Sequence, residues 1–150
     1  MRDFKKFTSK KLLKMIIENP ETTVEASHIA FASQVFNEFV AIRAGSKLFR
    51  LATAQDVYDR VGFHNTGTTQ TKGLIVMSID DGIGSSAQLT DLDANNDAVV
   101  VVINGTSEEQ SHSVPTATGF ELHSIQKTSV DSAVQTANFT VGANAGTFTV

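Results

Sequence analysis

The most informative absences in this 150-residue sequence are those of cysteine and tryptophan. Without cysteine, the chain forms no disulfide and offers no thiolate to a metal ion, which excludes a disulfide-stapled scaffold. Sugar-binding modules commonly stack pyranose rings on exposed aromatic side chains, yet the chain has no tryptophan and a single tyrosine, Tyr58. Its ten phenylalanines fall mostly at core-like positions. The composition therefore argues against a typical carbohydrate-binding surface without excluding one.

Long apolar runs and positive charge are also scarce. No run approaches the roughly 20 residues that span a bilayer, so we predict no membrane span. The basic start lacks a continuous apolar segment, so we predict no signal peptide, and the cellular location stays open. The net charge of −4 argues against nucleic acid as a partner. A chain of 150 residues is also too short for a complete (β/α)8 barrel, which needs about 250.

Helical periodicity predicts two or three helices in the first sixty residues. Thr8 and Ser9 are candidate N-caps of the first helix, and Asn19-Pro20 ends it because a proline restricts the residue before it. Its apolar positions recur at helical spacing: Leu12, Leu13, Ile16 and Ile17.

The second predicted helix starts at a capping box formed by Thr22 and Glu25 and ends at Gly45. Its apolar face consists of Ile29, Ala32, Val35 or Phe36, Phe39 and Ile42. A third, short helix is predicted from Thr53 to about Arg60, with Thr53 and Asp56 as a weaker capping box.

From Val61 onward the pattern becomes that of β-strands. Short β-branched or alternating runs are bounded by Gly, Asn, Asp and Ser, and no helical pattern lies between them. The predicted strands are 61–64, 73–80, 97–104, 111–114, 120–122, and a final hairpin at 139–141 and 148–150 around a Gly142–Gly146 loop.

The two uniformly apolar runs, 73–80 and 97–104, predict burial on both faces. Asn104-Gly105 predicts a turn from which the 111–114 strand returns. We therefore predict a mainly β protein: a helical segment, 1–60, followed by an antiparallel β-sandwich, 61–150.

Candidate metal and phosphate sites have weak support in the sequence. Asp91, Asp93 and Asn95 match the first three ligand positions of a calcium loop, but Asn96 replaces its glycine and Val102 its bidentate glutamate. A polar turn before the valine-rich strand is the favoured interpretation. Gly82-Ile83-Gly84 is interpreted as a plain turn, since no helix pattern follows it. The four histidines are dispersed, so we predict no metal ion and no cofactor.

Several ordered segments resemble one enzyme family. They are FNEFVAIR, LFRLATAQDVYDRVGFHNTG, GLIVMSIDDG, DLDANNDAVVVVIN and GFELHSIQKTSVDSAVQTANFTVGANAGTFTV. Together they are similar to the C-terminal region of bacterial pullulanases, starch-debranching enzymes of glycoside hydrolase family 13. The chain departs from that family at Gly45–Phe49, where relatives tend to read Ser-Ser-Pro-Leu-Phe. Relatives also continue past the position of Val150, so the predicted sandwich lacks its last strand.

The resemblance implies a parent enzyme that hydrolyses α-1,6 branches of pullulan, starch or glycogen. Such hydrolysis needs two carboxyl groups about 5–5.5 Å apart. In this family the nucleophilic Asp follows an Arg by two positions, the acid Glu lies between glycines, and a His-Asp pair lies at the barrel mouth. None of these patterns occurs in the sequence, so we predict no catalytic residue.

The function that follows is a non-catalytic C-terminal domain that stabilises a catalytic barrel. The alternatives are an independent carbohydrate-binding module, with α-glucan as its ligand, and a stand-alone structural or oligomerisation protein. We predict a homo-oligomer, formed through the exposed helix face or an open strand edge.

Overall fold

The computed structural model of the protein describes residues 14, 17–18, 25–82 and 86–150. The chain divides into two compact units, one ending at Gln34 and the other comprising Val35–Val150. Lys14, Ile17 and Glu18 are helical, but the rest of the first predicted helix and Thr22 of the second capping box lie outside the described residues. None of the helices in the described ranges is long and apolar enough to cross a bilayer. The domain boundary at residues 60 and 61 stays a prediction.

Between residue 25 and the first strand, the structure describes three helical segments. Helix α1 spans Ala26–Gly45, a 3₁₀ helix spans Lys47–Arg50, and helix α2 spans Ala54–Arg60. Helix α1 ends at Gly45, as predicted. Helix α2 starts after Thr53, whose hydroxyl accepts from the Asp56 N–H (3.0 Å) and so satisfies a free amide of the first turn. The predicted N-cap of the third helix is confirmed.

The first sheet is antiparallel and has the strand order β1-β2-β3. Its strands are β1, Val61–Phe63; β2, Leu74–Asp80; and β3, Ala98–Asn104. Strands β2 and β3 pair along their full length, with Val76 opposite Val102. Both β-branched runs were predicted within one residue of their ends.

The second sheet is also antiparallel, with the order β4-β6-β5. Its strands are β4, Ser111–Pro115; β5, Asn138–Val141; and β6, Ala145–Thr149. The β5–β6 hairpin places Phe139 opposite Phe148. The predicted antiparallel pairing of the strands is confirmed in both sheets.

Side chains from both sheets contribute to one hydrophobic core. Leu74 and Val76 of β2 form a buried cluster with Val114 of β4 and Phe148 of β6. Phe148 also meets the rings of Phe120 and Phe139, at centroid distances of 5.5 and 4.8 Å. Gly146 admits no side chain here, because a Cβ atom would overlap the Phe139 ring and lie 2.6 Å from the Ala117 carbonyl oxygen. The remaining core members are Ala117 and, partly buried, Val100, Val102 and Val150.

Strand predictions in the last fifty residues need three corrections. Residues 120–122 form no strand; Phe120 instead packs its ring into the core from an irregular segment. Strand β4 does not return along β3 after the Asn104-Gly105 turn but pairs with β6 in the other sheet. The hairpin loop is shorter than predicted, because Ala145 and Gly146 belong to β6.

The expectation that no helix interrupts the strands is wrong. Helix α3, Ser124–Lys127, and helix α4, Ser132–Gln135, lie between β4 and β5. Each is a single turn with a side-chain cap: His123 accepts from the Ile125 N–H and Asp131 from the Ala133 N–H. Four residues are too few to show a helical period.

Burial of β2 and β3 on both faces is also only partly correct. The inward residues Leu74 and Val76 are buried, but Ile75 and Ile103, which pair with each other on the outer face, are 47% and 52% exposed. This end of the outer face is therefore an uncovered apolar surface.

Candidate functional site: a buried junction and an exposed helix face

Helix α1 exposes most of the predicted apolar positions, although Ile42 is half-buried. None of its twenty residues is buried. Phe36 is 66% exposed and Phe39 is 59% exposed, and Ile29 and Val40 are exposed as well. Contiguous apolar surfaces of this kind mark interaction sites, because water is unfavourable around them. The face is the first candidate functional surface.

Glu38 anchors the second half of α1 to the segment between α3 and α4. Its carboxylate accepts from the Ser129 hydroxyl (2.6 Å) and from the Val130 N–H (3.0 Å). The Gln135 side chain donates to the Ser129 carbonyl (2.7 Å), which holds the receiving segment in place. This contact joins residues more than ninety positions apart, so it fixes the helix to the β-rich part of its unit.

Arg60 forms a buried ion pair at the boundary between helix and sheet. Its side chain is 2% exposed, and Nη1 lies 2.5 Å from Asp81 Oδ1. Nη2 donates to the Thr90 carbonyl (2.6 Å). The Asp81 carboxylate also accepts from the N–H groups of Leu92 (2.9 Å) and Asp93 (2.7 Å). A single buried pair thus holds the end of α2, the end of β2 and the loop before β3 together.

Asp93 extends this junction to the 3₁₀ helix. Its carboxylate accepts from the Ser46 hydroxyl (2.5 Å) and from the Asn96 side chain (3.1 Å). The Ser46 hydroxyl in turn accepts from the Leu48 N–H (3.1 Å). The Ser46 hydrogen bond is the largest cause that lowers the pKa of Asp93. The same carboxylate also accepts from the Asn95 N–H (3.2 Å), so Asp93 joins a local turn to the 3₁₀ helix.

No group of three or more His, Cys, Asp or Glu side chains suited to a metal ion occurs among residues 14, 17–18, 25–82 and 86–150. The junction was not predicted from the sequence, because Arg60 and Asp81 are separated by twenty-one positions and no local pattern pairs them.

A second polar cluster lies on the inner side of the first sheet. His64 Nε2 and Ser78 Oγ share a hydrogen bond of 2.9 Å. Ser78 is buried and also interacts with Asp80. In a serine hydrolase the carboxylate holds the other nitrogen of the imidazole, whereas here it contacts the serine. The cluster therefore differs from the triad of a serine hydrolase.

His64 should make the stability of the fold depend on pH. Burial is the main cause that lowers its pKa, and His112 lowers it further, while Asp80 opposes them. The folded protein thus disfavours the charged imidazole. Above the ordinary histidine pKa of about 6.5, His64 is neutral in both the folded and the unfolded state and does not reduce stability. Below that pH the unfolded state binds the proton more readily, so the free energy of unfolding should fall. Burial raises the pKa of Asp80, which acts in the opposite direction at more acidic pH.

Urea unfolding between pH 7.5 and 5.5 measures this dependence. We expect His64→Gln to flatten the slope of unfolding free energy against pH relative to the parent chain. His28→Gln, on the exposed surface of α1, is the matched control and should keep the parent slope. Equal slopes for His64→Gln and the parent would contradict the assignment.

Comparison with known proteins identifies the family. The profile of the family described as "Alpha-1,6-glucosidases, pullulanase-type, C-terminal" matches residues 6–150. The chain belongs to this family. The resemblance inferred from the ordered sequence segments is confirmed.

Pullulanases from a plant and from bacteria are similar to this pullulanase-type C-terminal domain. Pullulanase 1, chloroplastic, of Arabidopsis thaliana is 36% identical over 126 residues, which are 83% of this chain and 13% of that protein. Pullulanase of Klebsiella pneumoniae is 35% identical over 99 residues, 66% of this chain and 9% of that protein. The chain thus spans about an eighth or less of the length of these relatives.

Solved structures give the same result. The chain resembles the crystal structure of Klebsiella pneumoniae pullulanase complexed with maltotriose, with a TM-score of 0.67 and 30% identity over 83% of this chain and 11% of that one. It also resembles PulA from Klebsiella oxytoca, with a TM-score of 0.64 and 27% identity over 86% of this chain and 12% of that one. Two small antiparallel sheets with accompanying helices are therefore the fold of a pullulanase C-terminal domain.

Proposed function

We propose that the chain is a non-catalytic accessory region of a pullulanase-type debranching enzyme. Its two sheets form a β-sandwich that packs against a catalytic barrel and stabilises it. The family match over residues 6–150 is the observation that carries this proposal. The sequence lacks the family's catalytic motifs, which supports a role without chemistry of its own.

The exposed face of α1 is the docking surface for the barrel. Phe36, Phe39 and Val40 present large side chains to water in this chain. Burying each against another domain would contribute about 1.5–3 kcal/mol. The relatives contain many more residues than this chain, so they have other domains that can cover the face.

The buried junction gives the docking surface a fixed support. The segment after α1 is held to the sheet by the contacts of Arg60 with Asp81 and of Ser46 with Asp93. Glu38 holds α1 itself to the Ser129–Val130 segment. Because the surface is fixed to the sandwich, a catalytic barrel that docks on it is stabilised by the folded sandwich.

Assays of the purified chain on pullulan test the absence of chemistry. We expect no release of reducing sugar above a buffer blank, with a complete pullulanase as the positive control. Turnover that follows the chain through purification would show that it is an enzyme in its own right and would overturn the proposal.

A chimera tests the docking surface. Residues 6–150 replace the corresponding region of Klebsiella pneumoniae pullulanase, and the temperature of half-inactivation is measured. Phe36→Ser should lower this temperature, because it removes apolar contact with the barrel. Tyr58→Ser is the control: Tyr58 is also an aromatic on a helix and is 83% exposed, but it lies outside the α1 face. Equal effects of the two substitutions would contradict a specific role for α1.

A carbohydrate-binding module is the second candidate, since the exposed ring of Tyr58 is available for stacking against a sugar. Native electrophoresis in gels that contain pullulan or amylopectin separates the two candidates. An accessory domain migrates as it does in plain gels, whereas a binding module is retarded, and Tyr58→Ser abolishes the retardation.

A further inference from the structure

One edge of strand β3 is open among the residues that the structure describes. The Asp81 N–H donates to the Asp97 carbonyl, and the Gly105 N–H donates to the Gly73 carbonyl. In an antiparallel ladder hydrogen-bonded pairs alternate along the strands, so these two bonds fix the pattern between them. The peptide groups that point to β2 are those of Val99, Val101 and Ile103. The peptide groups that point away from β2 are those of Ala98, Val100, Val102 and Asn104. Within the described residues, β2 is the only strand that pairs with β3.

This edge lacks the features that protect other edges. Natural edge strands are usually short, charged, bulged or interrupted by proline. Strand β1 has three residues, and β4 ends in Pro115 and alternates with polar side chains. Strand β3 is seven residues long and contains no charge, no proline and no glycine. It has the composition of a central strand in the position of an edge strand.

We propose that β3 pairs with β3 of a second copy of the chain, antiparallel about a two-fold axis at Val101. An isologous pair of this kind needs a self-complementary surface. With Val101 opposite Val101, Val100 lies opposite Val102 and Ala98 opposite Asn104. All four outward-directed residues of each strand then find hydrogen-bond partners, and the two three-stranded sheets become one continuous sheet of six.

The side chains favour the same register. Val99, Val101 and Ile103 lie on the outer face, so Ile103 of one copy falls opposite Val99 of the other, and both are apolar. Asp97, the nearest charge, falls opposite Gly105 instead of another carboxylate. Ile103 adjoins the exposed Ile75 on the same face, so pairing places Val99 of the second copy beside this apolar pair and removes part of it from water. No like charges face each other within the paired segment.

A single cysteine at the axis tests the register. The chain has no cysteine of its own, so Val101→Cys gives one thiol per copy. Residues that are opposite but not hydrogen-bonded have Cα atoms about 4.5 Å apart, within the range of about 4.4–6.8 Å that a disulfide needs. Under mild oxidation at micromolar protein we expect a disulfide-linked dimer to form on the order of a hundredfold faster than random collision allows, since neighbouring groups act at effective concentrations near millimolar.

Two matched variants place the contact. Ile75→Cys lies on the same face and is more exposed than Val101, but it is on the central strand β2, so it should cross-link only slowly. Phe36→Cys reports on the α1 face. Faster cross-linking at position 36 than at position 101 would show that the chain self-associates through the helix and would overturn the β3 pairing.

A second experiment, based on charge, tests the same pairing without a cysteine, in case the cysteine itself disturbs β3. Val101→Lys and Val101→Glu each place like charges opposite each other, so each should sediment as a monomer while keeping the circular dichroism of the parent chain. Mixed in equal amounts, they should form a heterodimer. A parent chain that sediments as a monomer at high micromolar concentration, or a mixture that stays monomeric, would refute the proposal.

Discussion

Replacement of Arg60 by leucine should lower the free energy of unfolding by about 3–5 kcal/mol, because it leaves the Asp81 carboxylate buried without its cation. Native domains are stable by only about 5–15 kcal/mol, so the variant would lose a large part of its stability. Chemical denaturation followed by circular dichroism measures the change.

Two further variants show whether the uncompensated charge is the cause. Lys127→Met breaks the other short ion pair, Lys127–Glu121 at 2.6 Å, which is exposed to water and should contribute little. The double variant Arg60→Leu/Asp81→Asn removes both buried charges and should recover part of the loss. A double variant less stable than Arg60→Leu alone would show that the hydrogen bonds of Asp81, and not its charge, dominate the junction.

Replacement of Phe148 by alanine should destabilise the second sheet by a similar amount. Phe148 lies on the central strand β6 and contacts the rings of Phe120 and Phe139. Truncation of a buried phenylalanine costs about 3–5 kcal/mol, from lost transfer free energy and from the cavity that remains. Thermal unfolding by calorimetry or circular dichroism measures the loss.

Phe63→Ala is the matched control, because Phe63 is also a strand residue but its side chain is exposed. We expect its midpoint temperature to stay close to that of the parent chain. Comparable losses for Phe63→Ala and Phe148→Ala would mean that the aromatic cluster is not the core of this sheet.

The sequence predicts correctly those elements whose hydrophobic pattern or capping residue lies within the element itself. The β-branched runs at β2 and β3 and the cap at Thr53 were predicted within a residue. Ser78 and Asp80 were also placed in a strand, but their contact with His64 depends on the β1–β2 register, which the sequence does not display.

Features that depend on distant residues escaped prediction. Strand β4 follows a strong turn signal, yet it pairs with β6, whose residues lie 30 to 38 positions later in the chain. Phe120 has strand-like neighbours but is held by two other aromatic rings. The Arg60–Asp81 pair joins residues from a helix and a strand end, so neither residue alone signals the site.

The contact between Glu38 and the Ser129–Val130 segment has a consequence for biosynthesis. Glu38, which accepts these hydrogen bonds, leaves the ribosome about ninety residues before Ser129 and Val130, which donate them. At translation rates of roughly 5–20 residues per second, the nascent helix waits about 5–20 s for its anchor. During that interval the exposed phenylalanines of α1 are open to chaperones, so α1 needs co-translational protection more than the strands that follow it.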